Sequence, residues 1–455
     1  MKRVKLITIL GFLGIYTCTI AQEQALEKYI REGLENNLSL KQMQGDYKKS
    51  MQALNSARGL FYPNLSIDAR YTIARGGRII EFPVGDMLNP VYSTLNQLTQ
   101  SDQFPQLENE EFPFYRPNEH ETKVSLVQPV FDPKIIYNYQ IGKEKITIAR
   151  TDVTIYKREL IKEIKTAYYN YLRTVYIQQM VDESLDLLKE NLRVSKSLFE
   201  NDLVTIDVVY RSEAELQKII QTQAETEKTN RTAKAYFNFL LNRPLDQDIQ
   251  FPEYKGISEL AQSVDVSEEI VAGINSREEL NQLETYKNIN ENYMKLVRSS
   301  NYPSVFFAAN YGFQGEEYSF TRDDDFMLAS VVLQWNLFQG FKNRADVQQA
   351  KIAADQLELK QLEIQKQIEL QIINAYYDIQ AAVKAVDASR AQVQASEKAF
   401  RVVNEKFRLG QAPLIEYIDA QTTMSTSKQN LIIAFFEYKI KEADYERVTA
   451  SRSLQ

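Results

Sequence analysis

Glu416 and Asp419, in the segment FRLGQAPLIEYIDAQ (407–421), are the residues whose type and spacing most invite a chemical reading. They stand at i and i+3, so a helix places them on one face. Just before them, Gly410 can take the left-handed conformation that ends a helix. Pro413 suits the first turn of the next helix, where its missing N–H is no loss. The carboxylates then lie near a helix N-terminus, where the helix dipole favours negative charge. From the residues alone they read as first-turn acids. A catalytic role finds little support elsewhere. The chain has one histidine, His120, flanked by Glu119 and Glu121 in a loop; it is expected to be solvated and is assigned no site. There is no glycine-rich phosphate loop and no HExxH pair. Acyl-transfer and zinc centres usually need more than one histidine, so the expectation is no enzyme, no cofactor and no metal.

The acids interrupt an unusually uniform stretch of chain. From Lys143 to Arg243 there is neither glycine nor proline, and from Phe341 to Leu409 there is none either. Apolar residues recur at helical spacing: Leu160, Ile161, Ile164, Ala167, Tyr168, Tyr171, Leu172 and Val175 in the first stretch, and Ile368, Ile372, Ala375, Tyr376, Ile379, Val383 and Val386 in the second. Helices of roughly 65 residues would be about 100 Å long. Helices sustained over that length pair as coiled coils.

The chain also repeats itself. ARGLFYPNLSIDARY (57–71) lies over VRSSNYPSVFFAANY (297–311), AYYNYL (167–172) over AYYDIQ (375–380), and FENDLVTIDVVY (199–210) over FRLGQAPLIEYI (407–418). This is a duplication in which each half reads helix, strand, strand, long helix, break, helix. The opening helices are expected over Gln22 to Arg58 and Ser276 to Arg298. After each Tyr-Pro comes period-two alternation, with Leu65, Ile67, Ala69, Tyr71 and Ile73 on one face, and Val305, Phe307, Ala309, Tyr311 and Phe313 on the other half's matching face. Return strands are expected near 122–131 and 326–338, the second carrying Met327, Ala329, Val331, Leu333, Trp335 and Leu337 as its apolar face. Strands near ten residues suit a tilted membrane crossing; they suit an ordinary sheet packed on helices equally well. The expected division is a signal peptide at 1–21, a first repeat at 22–243, a connector at 244–275 and a second repeat at 276–455.

The N-terminus, MKRVKLITILGFLGIYTCTIAQEQ, has a basic start, an apolar stretch from Leu6 to Tyr16, and a small residue at Ala21. That pattern is a secretory signal peptide cut after Ala21. Cys18, the chain's one cysteine, would leave with it; a lipoprotein cut before Cys18 is the other reading. No later run approaches the ~18 apolar residues of a membrane helix, so an exported chain that spans a membrane would need a barrel. The net charge of −7 argues against nucleic acid as a partner.

Signal peptide, duplicated halves, strand pairs and long helices broken by a short tip turn together resemble the TolC-type outer-membrane efflux family. The resemblance implies a mainly α fold with a membrane β-barrel. Three copies would each give four strands to a twelve-stranded barrel, and long antiparallel coiled-coil helices would form an α-helical tunnel through the periplasm. It implies a homotrimer in the outer membrane that acts as exit duct of a tripartite efflux or type I secretion system. Its partners would be outer-membrane lipid, a periplasmic adaptor (membrane fusion) protein and an inner-membrane transporter of RND or ABC type. In the family the matching helix starts carry acids that ring a closed periplasmic mouth, which would make Glu416 and Asp419 a pore constriction. The tip turns would be Asp202 with Thr205, and Gly410 with Pro413. At the first tip Asp202 replaces the glycine and Thr205 the proline; Asp207 is one step out of register, so that tip is not expected in the ring. Phe199, Leu203, Phe407 and Leu409 could form apolar knobs for the adaptor or simply pack the tip. Trp335 and Tyr71 become membrane-interface aromatics. Residues 74–121, rich in proline and aromatics, would join the first two strands as a long outward-facing loop. The rival reading is an exported structural coiled-coil protein of the cell envelope, which explains the helices but not the paired strands.

Overall fold

The structure is a computed structural model, and it describes residues 24–251, 273–274 and 276–454. The expected signal peptide with Cys18, and most of the expected connector, lie outside the described residues. The chain separates into two units. One comprises the chain up to Met51, Glu144–Ile289 and Ala353–Gln455; the other comprises Gln52–Lys143 and Asn290–Ile352.

The glycine- and proline-free stretches are helical as expected. Residues 24–36 form α1, Leu38–Gly59 α2, Pro133–Glu200 α4, Ile206–Leu240 α5, Glu278–Arg298 α6, Lys342–Arg408 α7 and Leu414–Thr449 α8; α3, at Val84–Thr99, belongs to the insert described below. Helices α4 and α7 run for 68 and 67 residues. In the first unit the apolar positions at helical spacing become the core: Leu160, Ile164, Tyr168 and Leu172 of α4 pack with Leu40, Phe237 and Phe436, all essentially without solvent contact. Ile368, Ile372 and Ala375 of α7 form a second cluster with Val448.

The opening helix is not continuous, as the sequence pattern suggested, but breaks at Asn37. The Asn37 side-chain oxygen accepts the backbone N–H of Leu40 at 2.9 Å, an N-cap for α2. Its amide nitrogen donates to the Leu240 carbonyl at 2.9 Å. One side chain thus satisfies the orphan groups of two helix ends at once.

The second unit is built on an antiparallel four-stranded sheet. Its strands are β1 (Asn64–Ile73), β4 (Asn118–Phe131), β5 (Ser304–Gly315) and β6 (Asp325–Gln334), in the order β1-β4-β5-β6. The return strands thus start and stop differently from expectation: β4 begins at 118, and β6 ends at 334, so Trp335 and Leu337 lie beyond it. The register aligns the alternating sets. Ile67 sits opposite Val124, Val124 opposite Tyr311, and Tyr311 opposite Met327. One face is therefore apolar across all four strands. The other carries Asp68, Arg70, Glu121, Lys123 and Ser125. There Arg70 pairs with Glu121 at 3.2 Å, Lys123 with the same carboxylate at 2.7 Å, and Ser125 donates to Asp68 at 2.9 Å.

Among the described residues, nothing covers most of the apolar face. Ile67 is 76% exposed, Met327 77% and Val331 69%. This removes the reading of a sheet packed on its own helices. Among the described residues, strands β1 and β6 also end the sheet without a partner, and open edges beside uncovered apolar surface call for further chains or lipid.

The segment at 74–121 is not a simple loop. It holds β2 (Ile79–Phe82) paired with β3 (Glu110–Pro113), with α3 between them. The side chains of Asn89, Asn96 and Asn109 tie α3 and the following turn together. Its last residues belong to β4. His120 is one of them and is fully buried rather than solvated. The β5–β6 turn folds Tyr318 and Phe320 over the imidazole, with ring centroids 4.9 and 5.9 Å away. The strand alternation puts His120 beneath that turn, on the face that carries Tyr71, its register partner.

Candidate functional site: the helix-tip turns

Both long helices end in the same turn, although only one has a glycine. At the second tip, Gly410 has φ +71°; its N–H donates to Phe407 O at 2.9 Å and Gln411 N–H to Lys406 O at 2.8 Å. At the first, Asp202 has φ +57°; its N–H donates to Phe199 O at 3.0 Å and Leu203 N–H to Leu198 O at 2.9 Å. These are paired 5→2 and 6→1 bonds of a Schellman motif. The match drawn from the sequence, Asp202 with Gly410, is thus a match of backbone conformation.

The next helices start at equivalent places. Pro413, expected inside the first turn of α8, is instead its N-cap residue, with extended ψ of 151°. Its carbonyl accepts the N–H groups of Glu416 at 3.1 Å and Tyr417 at 3.4 Å. Thr205 is the N-cap residue of α5, but its hydroxyl donates to the Asp207 carboxylate and makes no capping bond.

The two tips differ in charge. At the first, Asp207 faces its own counter-ion, Arg211, at 3.7 Å. At the second, Glu416 and Asp419 are both exposed, lie one helical turn apart, and have no ion-pair partner among the described residues. The contrast lies at the start of the return helices: α8 presents two unpaired carboxylates there, whereas the Asp207 carboxylate of α5 is paired.

The aromatic positions also part company. Phe407 is 2% exposed and cannot serve as a surface knob; its ring lies 4.9 Å from that of Tyr417, which also meets Phe400 at 5.5 Å. Leu198, Leu414 and Met424 complete this core. Burial there pushes the Tyr417 phenol up to about 12, with the Glu190 carboxylate adding to the effect. Phe199, which lies over Phe407 in the sequence match, is 40% exposed, and Leu203 and Leu409 are more open still. Tyr417 was missed from sequence, although the seven-residue spacing of Phe400 and Phe407 on one helix face was a signal for it. Below the tip, Ser195 and Ser212 share a buried 2.8 Å hydroxyl contact that joins α4 to α5.

The turns make a stability prediction. Gly410→Val forces a β-branched residue into the left-handed region and should lower stability by about 1–2 kcal/mol. Asp202→Gly removes such a cost and should raise it by up to about 1 kcal/mol. Protease nicking at each tip measures both; equal sensitivity of all variants would sink the assignment.

Comparison with known proteins places this arrangement. Residues 273–448 match the family described as outer membrane efflux protein. Over those residues the chain is similar to the outer membrane efflux family. It is 18% identical over 449 residues to the outer membrane protein TolC of Escherichia coli (strain K12), covering 93% of this chain and 82% of that protein. Among solved structures, the Campylobacter jejuni CmeC outer membrane channel matches with a TM-score of 0.74 at 14% identity, over 93% of this chain and 85% of that one. The Vibrio cholerae outer membrane protein VceC matches with a TM-score of 0.71 at 14% identity, over 93% and 95%. The structural likeness carries the fold across 93% of the chain. These matches support an outer-membrane efflux duct that extends into the periplasm, and the matched family is one of channels.

Proposed function

We propose that three copies of the chain close a twelve-stranded barrel in the outer membrane, and that Glu416 and Asp419 of each line the periplasmic mouth of the duct. The observation that carries this is the sheet: one uncovered apolar face, one charged face, and unpaired edges at β1 and β6. Pairing β6 of one copy with β1 of the next removes both edges and turns the apolar face to lipid. Tyr71 and Trp335, near opposite ends of the strands, then mark the two membrane interfaces. The division into signal peptide, first repeat, connector and second repeat belongs to this reading, and the matching tip turns support it.

A duct of this kind needs a pump. The partners are a periplasmic adaptor and an inner-membrane transporter of RND or ABC type. Phe199, Leu203 and Leu409 are the exposed apolar tip residues an adaptor would grip. Outer-membrane extraction into detergent followed by mass measurement tests the assembly; a monomer under conditions that keep the fold would overturn it.

The facing of the strands gives a sharper test. Val331 shares the apolar face with Phe307, while Val332 lies opposite Phe306 on the charged face. A lipid-facing arginine near mid-bilayer costs roughly 2–4 kcal/mol. Val331→Arg should therefore prevent stable assembly, and Val332→Arg should be tolerated. Equal yields of both trimers would reject the facing.

A further inference from the structure

Where β6 gives way to α7, the second unit has an open hollow of about 780 Å³. Arg298 enters it from the end of α6, and Arg344 and Lys351 from the first turns of α7. Tyr302, Phe338 and Phe341 line it as well, all three exposed. On the charged face of the sheet, Arg70 and Lys123 are paired to Glu121. The three cations of the hollow have no ion-pair partner among the described residues. The hollow adjoins the point where the uncovered apolar face ends. Trp335 stands at that point, held by a 2.9 Å hydrogen bond from its indole N–H to Asn301 O, and Asn301 itself lines the hollow.

We infer that this hollow binds the phosphate headgroup of an anionic phospholipid in the leaflet next to the helices. The chemistry is specific in kind. Three unpaired cations suit a phosphodiester with net negative charge, and the exposed aromatic rings suit the glycerol and upper acyl carbons that come with it. A soluble anion would use the cations and leave the aromatic surface bare. The inference rests on the proposed placement of the apolar face in lipid.

The chain has a single tryptophan, so Trp335 fluorescence reports on this location without labelling. The purified trimer is reconstituted into phosphatidylcholine vesicles carrying, at the same mole fraction, either brominated-acyl phosphatidylglycerol or brominated-acyl phosphatidylcholine. Both should quench Trp335, and the anionic lipid should quench at a lower mole fraction. Each cation removed should weaken that preference about fivefold, the equivalent of roughly 1 kcal/mol per basic residue near a lipid surface. Arg344→Gln with Lys351→Gln should bring the two lipids close to parity. In the wild type, raising the salt concentration should narrow the preference in the same direction, a measurement independent of how well the variant assembles. Failure of either lipid to quench would overturn the membrane placement itself. Equal quenching by both in the wild type would overturn only the headgroup site. Loss of the preference on adding millimolar inorganic phosphate would reassign the hollow to a soluble anion.

Discussion

Channels carrying Glu416→Ala together with Asp419→Ala are expected to lose their block by divalent cations added on the periplasmic side. Wild-type channels in planar bilayers should pass cations in preference to anions and should close in the presence of such ions. The cause is focusing. In the proposed assembly, carboxylates from three copies, gathered in a narrow throat with low-dielectric walls, would raise the local cation concentration far above that of the same charges spread over a surface. Both side chains are exposed and lack ion-pair partners among the described residues, so their charge is free to act on what passes. The concentration giving half-block should rise at least about tenfold in the double variant, the lower end of what focusing supplies. If instead Glu416 only serves the first turn of α8 and Asp419 is a surface acid of the second turn, the double variant loses a few tenths to about 1 kcal/mol of helix stabilisation and its block is unchanged. Unchanged block at the same cation concentration is the result that removes the acidic mouth. The first tip offers an internal comparison. Asp207 is already neutralised by Arg211, and Asp207→Ala should leave the block as it is.

Gly312→Val should be the most damaging single substitution in the sheet. A Cβ at this position would lie 2.4 Å from Thr122 O and 2.5 Å from Lys123 Cβ. The first is backbone, so no side-chain rotation relieves the contact. Gly312 sits opposite both Lys123 and Phe326 in the ladder, and β4 and β5 must move apart at the centre of the sheet. A loss of about 3 kcal/mol or more is expected, above the usual range for overpacking because the ladder itself is displaced. Thermal dissociation of the detergent-solubilised assembly, followed by gel mobility, measures it. Gly45, in α2, has nothing within 4 Å of an added Cβ; Gly45→Ala should stabilise by up to about 1 kcal/mol through helix propensity. Similar melting of both variants would show that Gly312 is not needed for the β4–β5 contact.

Much of the architecture was legible because it depends on local signals. Absence of glycine and proline fixes where helices can run, and strict alternation fixes which strand residues share a face. Gly410 announced its turn by type alone. What stayed hidden depends on partners far away in sequence. Asn37 breaks its helix by bonding Leu240, 203 residues on; the Asn36–Asn37 pair before Leu38 was a local hint of a cap. His120 reads as an exposed residue in an acidic stretch, and only the folded-back Tyr318 and Phe320 bury it. Phe199 and Phe407 lie over each other in the sequence match yet are opposite in exposure, because only Phe407 meets a tyrosine on the next helix. In the insert, Val84, Met87, Val91, Leu95 and Leu98 carried the helical period of α3, but proline within the same stretch masked it.

The central ladder of the sheet sets an order of events during synthesis. Tyr311 must find Val124, a residue made long before it, whereas each long helix meets its return partner across a turn of a few residues. Closing short loops is fast, and long-range strand pairing is slow. The helical hairpin of the first half can therefore form before the second half has folded. Strands β1 and β4 must then wait for β5 with their apolar face uncovered, in a compartment where that surface invites aggregation. The duplicated chain thus postpones its membrane part to the end of its own assembly, and periplasmic chaperones that hold exposed strands would matter most during that interval.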